Sequence, residues 1–481
     1  MGQTERTLRS NLRQTGQERA APTFIRLMEG EDDADGATIH EKVYQRIRKL
    51  ILSGSLASGA RLAPSRSLAR LLGISRNSVM TALDRLIADG LLESRQGSGV
   101  YVAYAGARAP SVTARPDPNC ELPLTFQLGA PPTDLFPSGV WHRLQSRRWR
   151  HISPALLRDD DAAGWRGLRE AIAAHVAMAR GLECSAEQIV VTSCTAAAVD
   201  LAVRALGLAG HEIWMENPCY LHAAQAFQNS GVHLVPVTTD SAGLDPAAGR
   251  ALSPNARAAY VTPACQFPLS VTMSVARRRA LTNWVRENKA WLLEDDFDWN
   301  TSPMPPKPIA AQLPDRTIYF HTFNHILFST LRIAFIVAPP QLVDRFIAIQ
   351  SSLHGGPHIP NQMVMADFIN SGHLDEHLKL LRESYAERRK ALLDSIRSEL
   401  SDFLFPLPTD AGTHIICQTR RLSAQEISAI AERQGIFVST MARFELIAVD
   451  NSRVLLGYAG FPTPAIKDAA CRLRMALTAG R

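Results

Sequence analysis

Residues 50–102 read LILSGSLASGARLAPSRSLARLLGISRNSVMTALDRLIADGLLESRQGSGVYV, and the spacing of their apolar and turn residues decides the first domain. Running into this stretch, Glu41 to Leu52 places Val43, Ile47, Leu50 and Ile51 on one helical face, with Ser53-Gly54 closing the helix. Ser65 is expected to cap a short helix through Leu72, and Gly73 allows the tight turn after it. Ser75 is expected to cap a third helix running to Asp89-Gly90. Leu91 to Arg95 and Val100 to Val102 then flank Gln96-Gly97-Ser98-Gly99, whose glycines permit the positive φ of a hairpin tip. The order is helix, turn, helix, wing.

The polar residues of this segment sit where a nucleic acid would meet them. Arg76, Asn77 and Ser78 fill the first turn of the third helix, and Arg and Asn pair bidentately with guanine and adenine edges in a major groove. Arg66 and the amides near Ser65 suit a phosphate, Ser75 starts the reading helix, and Gly97, Ser98 and Gly99 make the wing tip. From Ile39 to Tyr104 the bases Lys42, Arg46, Arg48, Lys49, Arg61, Arg66, Arg70, Arg76, Arg85 and Arg95 outnumber the acids Glu41, Asp84, Asp89 and Glu93. The whole chain, at a net charge of +6, is only mildly basic, so the local excess carries the argument. A small docking module with a solvated basic face is the alternative. The patterns G-x-L, G-x-R-L, S-R-x-L-A, L-G-I-S-R-N-S-V and R-x-G-S-G closely resemble the winged-helix domain of GntR-type regulators, with Ala63 where a proline is more usual. That resemblance implies a double-stranded DNA operator as partner.

Outward from this segment the chain changes character twice. Residues 1–37 are polar, end in the acids Glu31, Asp32, Asp33 and Asp35, and read as a flexible extension. Residues 105–123 are rich in Pro, Ala and Ser and read as a linker, so the winged helix spans 38–104. From 124 to 481 short apolar runs (Gln188 to Val191, Ala259 to Thr262, Trp291 to Leu293, Thr317 to Phe320) alternate with helical patterns such as Ala196 to Leu206 and Val275 to Glu287, which predicts an α/β unit. A chain of 481 residues exceeds what one core organises. No apolar run is long enough to cross a bilayer, and the first twenty residues lack a secretory signal, so no membrane partner and a cytoplasmic location are expected. Seven scattered cysteines form neither a zinc pattern nor a disulfide framework, and are read as reduced and mostly buried.

FQLGAPPTDLFPSGVW from Phe126, GWRGLREAIAAHVAMARGLECSAEQIVVT from Gly164, FINSGHLDEHLKLLRESYAERRKALL from Phe368 and LLGYAGF from Leu455 together resemble the MocR subfamily. There a GntR-type reader is fused to a fold-type I aminotransferase module, the pyridoxal-phosphate-dependent transferase fold. The resemblance implies a large α/β part (about 124–355), a smaller α+β part (about 356–481) and a homodimer. It also implies a cofactor segment, T-F-S-K-x-L-F-P-x-L-R-[LI]-G, which here reads Thr322-Phe323-Asn324-His325-Ile326-Leu327-Phe328-Ser329-Thr330-Leu331-Arg332-Ile333-Ala334. His325 stands where the lysine belongs, and an imidazole has no primary amine to condense with an aldehyde. Phe297 replaces a tyrosine whose phenol would meet the ring oxygen, and Cys194, Ala196 and Ala197 replace a glycine and glutamines. Asp295, Tyr220, Arg332 and the amides after Thr195 are retained as partners for a ring nitrogen, a ring face and a phosphate.

The expectation is therefore a regulator with a catalytically inactive, aminotransferase-like domain, no covalent cofactor and a pocket for a small-molecule effector. Pyridoxal or pyridoxamine phosphate held non-covalently, with His325 as a base, is the alternative. The acids Glu294, Asp295, Asp296 and Asp298 belong to a recognised strand-end motif, and no metal is expected. His373 and His377 are read as packing or capping residues, and His354 and His358 have no assigned role.

Overall fold

A computed structural model describes residues 38–52, 55–95, 97–103, 124–151, 161–302, 304–353, 358–409, 411–448 and 451–479. The expected extension 1–37 and linker 105–123, with Ser53, Gly54, Gln96 and His354, lie outside them. The chain divides between Glu121 and Leu122 into two compact units.

In the first unit, α1 (Ile39–Leu52) buries Val43, Ile47, Leu50 and Ile51, the stripe its periodicity predicts. Helix α2 (Ser65–Leu72) ends on Gly73 at φ 65°, and α3 (Arg76–Ala88) contributes Val79, Ala82, Leu83 and Leu86 to the same core. Ser75 caps α3 as expected, its hydroxyl accepting from the Ser78 amide at 3.1 Å. Ser65 does not cap α2: Pro64 holds the cap position and Ser65 is the first helical residue, its hydroxyl accepting instead from Arg76 Nε at 3.4 Å. Strands β1 (Leu92–Arg95) and β2 (Gly99–Val102) pair antiparallel, Arg95 opposite Gly99. Gly97 and Gly99 take φ 73° and 114°, the positive values that a side chain would oppose at the tip. Helices α1 and α3 are locked by Tyr44 donating to Asp89 at 2.5 Å and by Arg85, which pairs with Glu41 at 2.6 Å over the Tyr44 ring.

The second unit opens with α4 (Ser138–Arg150) and α5 (Arg166–Arg180) and then winds strand and helix alternately. In chain order come β3 (Ile189–Thr192), α6 (Thr195–Leu206), β4 (Glu212–Asn217), α7 (Leu221–Asn229), β5 (His233–Asp240), β6 (Gly243–Leu244), α8 (Pro246–Leu252) and β7 (Ala258–Val261). They are followed by α9 (Val275–Asn288), β8 (Trp291–Asp295), β9 (Thr317–Thr322), β10 (Ala334–Val337), α10 (Val343–Leu353), α11 (Ile359–Asn370) and α12 (His373–Glu399). The strands form one eight-stranded sheet in the order β3-β10-β9-β8-β7-β4-β5-β6. Its centre is parallel, whereas β10 runs antiparallel to both β3 and β9. Every residue of β3, β7 and β9 is buried, as strands covered by helices on both faces require.

The chain then builds β11 (Leu404–Pro406), β12 (His414–Thr419), α13 (Ala424–Glu432), β13 (Ser439–Thr440), β14 (Arg453–Gly457) and α14 (Thr463–Ala479). These four strands make a separate antiparallel sheet ordered β11-β12-β14-β13. It is tied to the first sheet by Asn217 at the end of β4, whose amide donates to the Ile447 carbonyl at 3.0 Å and accepts from the Leu446 amide at 2.7 Å. Among the six described cysteines Cys219, Cys265 and Cys417 are buried, Cys184 and Cys194 are half-buried and Cys471 is exposed. The expectation of mostly buried thiols thus holds for half of them. No helix among the described residues is long and apolar enough to cross a membrane.

Candidate ligand cavity and DNA-reading surface

In a doubly wound sheet the loops at the carboxyl ends of the strands leave a crevice, and side chains there converge. Residues following β3, β4, β8 and β9 line a cavity of about 550 Å³ in the second unit. Thr195, Tyr220, Asp295, Phe297, Asn324, His325 and Arg332, all expected in a pocket from the sequence, line it together. Strand β13 and the residues flanking it contribute Phe437, Ser439, Arg443 and Phe444, which sequence reasoning did not find.

Asp295 ends β8 inside the protein. One carboxylate oxygen accepts from the Tyr260 hydroxyl at 2.5 Å, and the other, Oδ1, has no hydrogen-bond partner among the described residues. Burial pushes its carboxyl up to about 7, opposed by the Tyr260 bond. Its acidic neighbours face elsewhere. Glu294 accepts from the Ile309 and Ala310 amides, and Asp296 pairs with Arg180 at 2.7 Å and accepts from Tyr319. The four acids therefore do not converge on a point. Asp298 alone joins Asp295 at the cavity, its Oδ1 lying 3.4 Å from His325 Nε2 without hydrogen-bond alignment.

His325 follows β9 in a loop held from two sides. Asn324 donates to the Ser193 carbonyl at 3.0 Å and accepts from the Ile333 amide at 2.9 Å, so its side chain fastens backbone together. The same side chain lines the cavity and braces the loop against the start of α6. From the other side His377, buried on α12, donates Nε2–H to the Ile326 carbonyl at 2.7 Å. His373 is the first residue of α12 and meets Glu376 at 3.2 Å. Packing and bracing are thus what both histidines do.

Two cations reach the cavity. Arg332 is exposed at φ 58°, a left-handed conformation that costs a side-chain-bearing residue roughly 1–2 kcal/mol. Arg443 lies over the Phe437 ring at 5.7 Å. Helix α6 directs its unpaired first amides here, at Thr195. The chain's seven lysines are Lys42, Lys49, Lys289, Lys307, Lys379, Lys390 and Lys467, and none lines the cavity. The donor set thus fits a protonated ring nitrogen at Asp295 and an anion near Arg332 and α6. It does not fit a covalent link from a lysine to a cofactor aldehyde.

In the first unit Arg66, Ser75, Arg76, Asn77 and the tip residues Gly97, Ser98 and Gly99 are exposed and Ser65 is half-buried, and Arg76, Asn77 and Ser78 form the first turn of α3. Residues 39–102 match the family model for bacterial regulatory proteins of the gntR family, and residues 151–473 match the aminotransferase class I and II model. The probable rhizopine catabolism regulatory protein MocR of Rhizobium meliloti is 34% identical over 93% of this chain and 95% of its own length. The chain belongs to the MocR-type GntR regulators. A further relative is the HTH-type pyridoxine biosynthesis transcriptional regulator PdxR of Corynebacterium glutamicum, 30% identical over 85% of this chain and 89% of that protein.

The second unit has the aminotransferase fold. LysN, the α-aminoadipate aminotransferase of Thermus thermophilus, solved with N-(5'-phosphopyridoxyl)-L-leucine, superposes with a TM-score of 0.67 at 23% identity, covering 74% of this chain and 92% of its own. The kynurenine aminotransferase of Pyrococcus horikoshii, solved with PMP, gives 0.68 at 21% identity, covering 75% and 92%. As a family member this protein is a transcriptional regulator with a DNA-binding winged helix and an aminotransferase-like domain.

Proposed function

We propose that this regulator binds a specific operator through α3 and the wing, and that its aminotransferase-like unit senses a small molecule without transaminating it. The observation that carries this reading is the cavity wall itself: His325 follows β9 beside Asp298, and no lysine reaches the space. Asp295, Arg332 and the first amides of α6 support a non-covalent ligand with a protonated nitrogen at one end and an anion at the other. Pyridoxal or pyridoxamine phosphate has that shape, and when bound supplies a ring that withdraws electrons from a substrate carbon. The proposed setting is cytoplasmic, with two chains paired through their larger units.

The test is an absorption spectrum of the purified protein titrated with pyridoxal phosphate, followed by borohydride and peptide mapping. Free-cofactor absorbance with no trapped lysine is the expected result. A Schiff-base band with label at one lysine overturns the reading. A second reading keeps His325 as a base acting on non-covalently held pyridoxamine phosphate, and the carboxylate 3.4 Å from its Nε2 favours it. It requires a substrate-dependent spectral change that His325→Ala abolishes.

A further inference from the structure

The outward face of α3 carries more than the polar first turn. Val79, Ala82, Leu83 and Leu86 face the core, which leaves Arg76, Asn77, Met80, Thr81 and Asp84 exposed. Arg76 and Met80 are four residues apart and so are neighbours on the helix surface. Met80 is 37% exposed and belongs to no core cluster of its unit. Thr81, next to it, donates its hydroxyl back to the Asn77 carbonyl at 3.0 Å, which leaves its methyl group as the free end. A polar first turn is thus followed by an apolar second turn on the same surface.

A thioether has no proton for a phosphate oxygen, so Met80 is unsuited to a backbone contact. It is equally unsuited to the donor and acceptor atoms of guanine, cytosine or adenine. The major groove presents one apolar feature at its base edges, the 5-methyl group of thymine. We propose that Met80, flanked by the Thr81 methyl, is a specificity-determining residue that reads a thymine methyl beside the base pair read by Arg76. This rests on α3 being the helix that enters the groove.

The test is selection from a randomised duplex library by the full-length protein, run in parallel with Met80→Ala, Met80→Gln and Arg76→Ala. The selected duplex is then remade with deoxyuridine in place of the enriched thymine, which removes only the methyl. The wild type is expected to enrich a thymine within two base pairs of the position that Arg76→Ala relaxes. It should bind the deoxyuridine duplex about fourfold more weakly, the factor that one buried methyl group is worth. Met80→Ala should bind both duplexes equally. If Met80→Ala melts at a lower temperature than the wild type, Met80→Gln, which keeps the chain length, supplies the same comparison.

Enrichment of the same thymine by both Met80 variants, or an undiminished methyl effect in them, overturns the proposal. If Arg76→Ala relaxes one position while the Met80 variants relax none, only the methyl reading fails. If Arg76→Ala also changes nothing, the assignment of α3 to the groove fails with it.

Discussion

Asp295 lines the cavity with one oxygen on Tyr260 and the other without a partner among the described residues, and burial has moved its carboxyl up to about 7. The folded protein therefore holds this proton more tightly than the unfolded chain, and between the ordinary carboxylate range and pH 7 stability falls as pH rises. Buried Glu216 and Glu294, also raised to about 7, act in the same direction. His321, which burial lowers to about 3, opposes them below its usual range, so a whole-protein pH profile mixes signs. The informative experiment is differential: Asp295→Asn should flatten the loss of stability between pH 5 and pH 8 by about 1 kcal/mol or more, read from melting temperatures at each pH. Parallel curves for variant and wild type would remove Asp295 as a source. Asp295, Tyr220 and Arg332 line the cavity and were legible in the sequence because each sits in a motif of the family the chain resembles. The bracing contact of Asn324 and the acceptor of His377 were not, since both are carbonyls, 131 and 51 residues away along the chain. Nor were Arg443 and Phe437, which reach the cavity only through the packing of a second sheet and carry no local signal.

Elements were legible where their periodicity was long. The stripe on α1, the cap of α3 and the buried runs of β7, β8 and β9 follow from apolar spacing and turn residues. The short strands β11, β13 and β14, of two to five residues, carry too little pattern to be read singly. Boundaries moved where side chains intervened: β3 starts at Ile189 because Gln188 turns back to the Ser185 amide in a capping box and donates to the Ala338 carbonyl. The layer behind the sheet depends on a close approach that no periodicity announces. Trp214 of β4 stacks on Trp284 of α9 with ring centroids 3.7 Å apart, and Gly249 of α8 lies against it so closely that a Cβ there would stand 2.7 Å from the indole. Both rings are buried, and Trp214 is anchored by its Nε1 donating to the Ser253 carbonyl at 2.9 Å. Gly249→Ala must displace the stack, and should destabilise the larger unit by about 1–3 kcal/mol in denaturant unfolding. Wild-type stability in that variant would mean that α8 can shift freely.

At the scale of the molecule, one winged helix supplies one reading helix and one wing, and a single such module buries a small, mostly electrostatic interface on DNA. Two modules on one particle would read an operator more tightly than one, with the spacing of half-sites fixed by whatever joins them. The larger unit supplies the means if it pairs about a two-fold axis, since a self-complementary surface closes at two copies and leaves no free end. Light scattering of the full-length protein should then give twice the chain mass of 52.7 kDa. The DNA side of the same expectation is stricter than the mass. A duplex carrying both half-sites should bind far more tightly than one carrying either alone, because the second contact becomes intramolecular and its gain is set by effective concentration. Inserting about five base pairs between half-sites turns one of them to the opposite face of the helix, and should abolish most of that gain. About ten should restore part of it if the units are free to move apart. A chain that scatters as a monomer, or a dimer indifferent to half-site spacing, would mean that each winged helix reads DNA by itself and that the larger unit does not set the operator's geometry.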